Sequence, residues 1–203
     1  MKKLNNYIQE KLNLSTVHTH KPKDEDELRD IIKERLEKDK NANLNDINVS
    51  DIKDMSFLFY KLDPHDIDIS EWDVSKVEDM GFMFMACSKF NCDLSEWNVS
   101  NVKDMNHMFS ACKVFNCDLS EWNVSNVKDM GSMFSNCLYF NTDLSSWDVS
   151  NVTDMNYMFG KCKNFNCDLN DWNVSKVKCM KYMFDGCTSL KNIPSWYKNE
   201  KTK

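Results

Sequence analysis

Tryptophan spacing constrains this chain more than any other feature. Trp72, Trp97, Trp122, Trp147 and Trp172 lie 25 residues apart, and Trp196 follows after 24. Between them the sequence repeats almost letter for letter: Trp97 to Trp122 reads WNVSNVKDMNHMFSACKVFNCDLSEW, and Trp122 opens WNVSNVKDMGSMFSNCLYFNTDLSSW. Four full units run from Trp72 to Trp172, a degenerate one precedes them from about Ile47, and a partial one closes at Trp196. A fixed period of this length is the signature of a repeat architecture, in which a unit too small to bury its own apolar face packs on its neighbours.

Within a unit the apolar positions are Trp97, Val99, Val102, Met105, Met108, Phe109, Cys112, Phe115, Leu119 and Trp122. Gaps of mostly two and three residues fit neither one long helix nor one long strand. They predict a coil that turns several times per repeat. Asp104 to Phe109 reads as a cap and a short helical turn, whereas Phe115–Ser120 and Trp122–Val124 read as extended pieces. The fold class expected is a repeat solenoid with short strands and short helical turns per 25-residue coil and an N-terminal helical cap.

The ends of such a stack need covers. DEDELRDIIKERLEKD, residues 24–39, places Leu28, Ile31, Ile32 and Leu36 on one face of a helix, with Asp24 able to cap it after Pro22. The organisation expected is an extension over 1–23, with Leu4, Tyr7, Ile8 and Leu12 on one side of a weak helix, a helical cap over 24–46, about six repeats over 47–196, and a charged tail over 197–203.

Residues 72–172 carry the pattern W-(D/N)-V-S-x-V-x-D-M-x-x-M-F-x-x-C-x-x-F-N-x-D-L-S-x-W almost throughout, and 47–71 and 173–196 carry it loosely. The pattern resembles the BspA-type leucine-rich repeat family, in the 25-residue subgroup first noted as uncharacterised proteins of mycoplasmas. ELRDIIKERL followed by LNDINVSDIKDM resembles what precedes such repeats there. The resemblance implies a leucine-rich-repeat-like solenoid. It implies no catalytic residues, and for some relatives it implies a surface adhesin that binds host or matrix proteins.

In a repeat stack every recurring position becomes a column. Cys87, Cys112, Cys137, Cys162 and Cys187 form one, and Cys92, Cys117 and Cys167, with Thr142 in the missing place, form another. Metal ligation or stacked disulfides are the chemical readings. Small buried side chains at close coil contacts are favoured instead, because zinc sites need thiols converging on a point and a column spreads them. Asp54, Asp79, Asp104, Asp129 and Asp154 read as turn caps, and Cys179 replaces the next one. Asp68, Asp93, Asp118, Asp143 and Asp168 suit hydrogen bonds to turns, with Ser95, Ser120 and Ser145 nearby, better than calcium, which needs six to eight oxygens. Asn91, Asn116, Asn141 and Asn166 are expected to bond backbone between coils. His18, His20, His65 and His107 do not recur, so no Ser or Cys nucleophile is matched to a base. No catalytic, cofactor or metal site is expected.

Residues 47–190 hold 12 Lys against 21 Asp and Glu, a net −9. That balance excludes a nucleic-acid reader. No apolar run approaches the roughly 18 residues of a membrane span, and the first residues are too polar for a secretory leader. An intracellular location is therefore favoured on these residues, against the surface role of some relatives. The function expected is a non-enzymatic protein-interaction scaffold. Its partner is expected on an acidic face including Glu96, Asp118 and Glu121, with Lys103 and Lys128 as a variable column beside it.

Overall fold

In a computed structural model the described residues are 17–198; the extension before Val17, with its proposed weak helix, and the last five residues of the tail lie outside them. A helix, α1 (Glu25–Lys38), is followed by coils in which the chain winds back over itself every 25 residues. Parallel bridges join equivalent residues of neighbouring coils: Asp54 to Asp79, Asp79 to Asp104, Asp104 to Asp129, Asp129 to Asp154, and Asp154 to Cys179.

The apolar positions read from the sequence point inward. Phe84, Phe109, Phe134 and Phe159 are fully buried, and their rings stack from coil to coil at 5.6 to 5.8 Å. Phe90, Phe115, Phe140 and Phe165 form a second stack beside the first, about 4 Å away within each coil. Each tryptophan closes its coil. Trp97, Trp122, Trp147 and Trp172 are buried, and each indole N–H donates at 3.0 Å to the carbonyl of the residue 28 positions earlier: Ile69, Leu94, Leu119 and Leu144. An indole thus buries a large apolar surface without stranding its one donor.

The coils differ from expectation in local conformation. Residues 104–112 form neither a helical turn nor a strand. They make successive β-turns, with Met108, Ser110 and Cys112 N–H donating to the carbonyls three residues back. His107 and Ala111 hold φ of 55° and 63°, the left-handed backbone that the third residue of a type II turn requires. The reason is hydrogen-bond accounting. Met105, His107, Phe109 and Ala111 send their N–H groups to Asp129, Gly131, Met133 and Ser135 of the next coil, at 2.7 to 3.0 Å. The alternate carbonyls, Asp104, Asn106, Met108 and Ser110, accept from Met80, Phe82, Phe84 and Ala86 of the preceding coil. Turn bonds within a coil and forward bonds between coils together satisfy the segment. A helical turn would satisfy only the first kind.

Because these bonds all run forward, the first coil is left with carbonyls that no earlier coil can serve. α1 supplies the partner. Its Arg29 guanidinium donates to two of them, Leu58 and Tyr60, the latter at 3.1 Å, and also to the Phe57 carbonyl, which already accepts the turn bond from the Tyr60 N–H. Leu28, Ile32 and Leu36 are buried in the same core as the repeats, with Ile31 partly buried beside them. Asp24 accepts from the Glu27 N–H at 3.0 Å, which fixes the start of the helix. At the other end of the stack, the matching N–H groups of Met180, Phe184 and Gly186 meet no acceptor among the described residues. No described helix is long and apolar enough to cross a membrane.

Candidate interaction face

The columns divide into those that hold the coils together and those that face solvent. The first cysteine column is structural. Cys87, Cys112, Cys137, Cys162 and Cys187 donate their thiols to the carbonyls of Phe59, Phe84, Phe109, Phe134 and Phe159, at 2.9 to 3.1 Å. All nine cysteines are free thiols. Burial pushes the Cys87 and Cys187 thiols up to about 12, so neither offers a thiolate at neutral pH. In the second column, Thr142 keeps the place of a thiol by donating to the Cys117 carbonyl at 2.8 Å.

The asparagines bond from coil to coil: Asn91, Asn116 and Asn141 each accept from the backbone N–H of the asparagine one coil on, at 2.8 Å. Both aspartate columns make the turn bond of their type. Asp93, Asp118 and Asp143 accept from Ser95, Ser120 and Ser145 N–H at 2.9 to 3.1 Å. Asp104, Asp129 and Asp154 accept from the N–H two residues on at 2.8 Å; they start β-turns, not the short helix expected of them. Cys179 ends this column and bonds to Asn156 Oδ1 instead, at 2.9 Å. Among the described residues, no group of three or more His, Cys, Asp and Glu is arranged to hold a metal ion.

Glu96, Lys103, Asp118, Glu121 and Lys128 are all exposed. Glu96 and Glu121 occupy the same place on adjacent coils, in the turns that end at Trp97 and Trp122, and Asp118 opens the second of these turns. Lys103 and Lys128 stand beyond the next turn, Val99–Val102 and Val124–Val127, and are adjacent through the Lys128 N–H to Lys103 carbonyl bond at 2.8 Å. Lys103 is also paired with Glu78.

A further outward-facing column escaped the sequence reading. The residue at the left-handed position of the first β-turn is Phe57, Phe82, His107, Ser132, Tyr157 and Tyr182 in successive coils. Phe57, Tyr157 and Tyr182 are 45%, 43% and 39% exposed, whereas Phe82 and His107 are half-buried. The rings stack face to face along the column: Phe57 on Phe82 at 4.6 Å, Phe82 on His107 at 4.5 Å, and Tyr157 on Tyr182 at 4.8 Å. Four of six residues at one outward place being Phe or Tyr was the signal available in the sequence.

Beside the rings run the carboxylates of the Asp104 column. Burial, followed by repulsion from Asp104 and Asp154, raises the Asp129 carboxyl above its ordinary range, against a lowering bond from Gly131; Asp79 is raised by burial in the same way. Among the described residues no Lys or Arg forms an ion pair with Asp104, Asp129 or Asp154. A raised carboxyl binds its proton more tightly folded than unfolded, so its charge destabilises the fold above its folded pKa, and the penalty fades as pH falls through that value. Asp129→Asn keeps an oxygen for Gly131 and removes the charge. It is expected to raise the melting temperature at pH 7, with the gain shrinking toward pH 4. A loss at pH 7, or a gain independent of pH, would contradict this assignment.

The coils, their shared core and their outward columns define a repeat protein whose units differ mainly at the surface. A family model described as Mycoplasma protein of unknown function, DUF285, matches residues 28–138 and again 115–203. The chain belongs to that family. No curated protein and no solved structure matches it.

Proposed function

We propose that the chain is a non-enzymatic protein-interaction scaffold, a solenoid of the leucine-rich-repeat kind related to BspA-type repeats. The observation that carries this reading is the outward, stacked ring column Phe57, Phe82, His107, Tyr157 and Tyr182, of which Phe57, Tyr157 and Tyr182 are exposed and Phe82 and His107 half-buried. Aromatic rings left in water cost solvation free energy without serving the core, and aromatic residues dominate the energetics of protein interfaces. The regular stack holds the column straight over several coils, which suits a partner laid along it.

This face is preferred to the acidic edge of Glu96, Asp118 and Glu121. Those carboxylates stand in open turns, where exposed charges add little affinity. Two variants separate the faces. One replaces Phe82, His107 and Tyr157 with serine; the other reverses the charges of Glu96, Asp118 and Glu121. Crosslinking in native cells is expected to lose its partner with the first and keep it with the second. Undiminished crosslinking by the serine variant, at unchanged melting temperature, overturns the reading.

A further inference from the structure

We propose that the break in the ring column at Ser132 is a seat for one arginine side chain of a partner protein. The inference rests on the scaffold reading and specifies the chemistry of its partner. Ser132 holds φ 55°, as its ring-bearing equivalents do, so the coil is undistorted there and only the ring is missing. The flanking rings are His107 one coil before and Tyr157 one coil after. The steps on either side of the break, 4.5 Å from Phe82 to His107 and 4.8 Å from Tyr157 to Tyr182, carried across it set these rings about 9 Å apart, two stacking distances. That is room for one planar group with a ring on each side.

The neighbouring residue selects the charge of that group. In the coils before and after, the residue preceding the ring is Asn106 or Asn156; here it is Gly131. A Cβ at Gly131 would meet Asp129 Oδ1 at 3.1 Å and Asp154 Oδ1 at 3.3 Å, so the missing side chain leaves its space to two carboxylates beside the break. In the preceding coil the Asn106 side chain bonds to Asp104 and lies 3.3 Å from His107 Nδ1, so the acidic and ring columns are one side chain apart. Neither Asp129 nor Asp154 has a cationic partner among the described residues. Burial lowers the His107 pKa, which favours a neutral ring beside an incoming cation. A guanidinium meets every condition: it is planar, stacks on aromatic faces, and carries N–H donors for carboxylates at its edge. Lysine has the charge without the plane, and an aromatic side chain has the plane without the charge.

The test uses the full chain and N-acetyl-arginine amide as probe, followed through the ring-proton resonances of His107 and Tyr157. Saturable shifts at both rings are expected, with N-acetyl-lysine amide and N-acetyl-tyrosine amide each binding about tenfold more weakly. Ser132→Phe completes the column at a place where Phe57 and Phe82 already fit; it is expected to abolish the shifts while keeping the melting temperature. Asp129→Asn is expected to weaken binding several-fold at low salt. Absence of shifts, equal binding of the lysine or tyrosine amide, or full binding to the Ser132→Phe protein overturns the proposal. The two readings fail separately. If the serine variant of the rings loses its crosslinked partner but arginine amide gives no shift, the scaffold stands and the arginine seat falls. If arginine amide binds but crosslinking ignores the ring column, the scaffold assignment of this face falls.

Discussion

Trp122→Ala is expected to destabilise the protein by about 3–5 kcal/mol, the usual result of emptying a large buried site. For a chain of this length that lowers the melting temperature by about 10 °C. The indole is 3% exposed and leans on Phe109 at 6.3 Å between ring centroids. Most of the loss should be packing. The Leu94 carbonyl that loses the indole N–H at 3.0 Å still accepts from the Trp97 backbone N–H at 3.1 Å, so no orphaned acceptor is left. Trp122→Phe should therefore recover more than half of the loss. Trp147→Ala should cost nearly the same as Trp122→Ala, because Trp147 is 4% exposed and makes the equivalent 3.0 Å bond. Urea unfolding of the three variants reads the comparison. A cost below about 1 kcal/mol for Trp122→Ala would mean that the tryptophans do not close the coils.

What could be read before the structure, and what could not, follows from the kind of force involved. Val99, Met105, Phe109 and Trp122 were legible as core because each recurs in one environment, and burial tolerates few residue types. Leu28, Ile32 and Leu36 were legible by helical spacing. The asparagine column was legible because an amide repeating every coil has a natural acceptor and donor one coil away. The turn conformation was not. His107, Phe82, Ser132 and Tyr157 share a positive φ, yet none is the glycine that usually announces it; the backbone is held there by forward bonds to the next coil. The ring column was missed for a related reason. A position occupied by Phe, His, Ser and Tyr looks merely variable. Charge is the plainer signal in the sequence, and it points to Glu96, Asp118 and Glu121. Only the coil geometry shows that the rings at this place stack on one another at the surface, with Phe57, Tyr157 and Tyr182 exposed.

The same forward bonds make α1 necessary, and Ile32→Asp tests that directly. Ile32 is fully buried in the core that α1 shares with the coils, and an unpaired carboxylate there costs several kcal/mol. The expected result is detachment of α1, which takes Arg29 away from the carbonyls of Leu58 and Tyr60. In a stack where each coil contacts only its neighbours, the damage should fade with distance. Hydrogen exchange should speed up at the Phe59 and Lys61 amides, which bond to Met83 and Met85. It should change little at Phe134, three coils beyond Phe59, which bonds to Met158 of the next coil. Arg29→Met separates the two contributions of the helix: it leaves the packing of Leu28, Ile32 and Leu36 and removes the donors, for a smaller loss of about 1.5–3 kcal/mol. Faster exchange at Phe59 in both variants, larger for Ile32→Asp, is the outcome that follows from α1 as the end piece of the stack. Unchanged protection at Phe59 and Lys61 in the Ile32→Asp protein would show that the first coil holds without the helix, with its outward carbonyls satisfied by water.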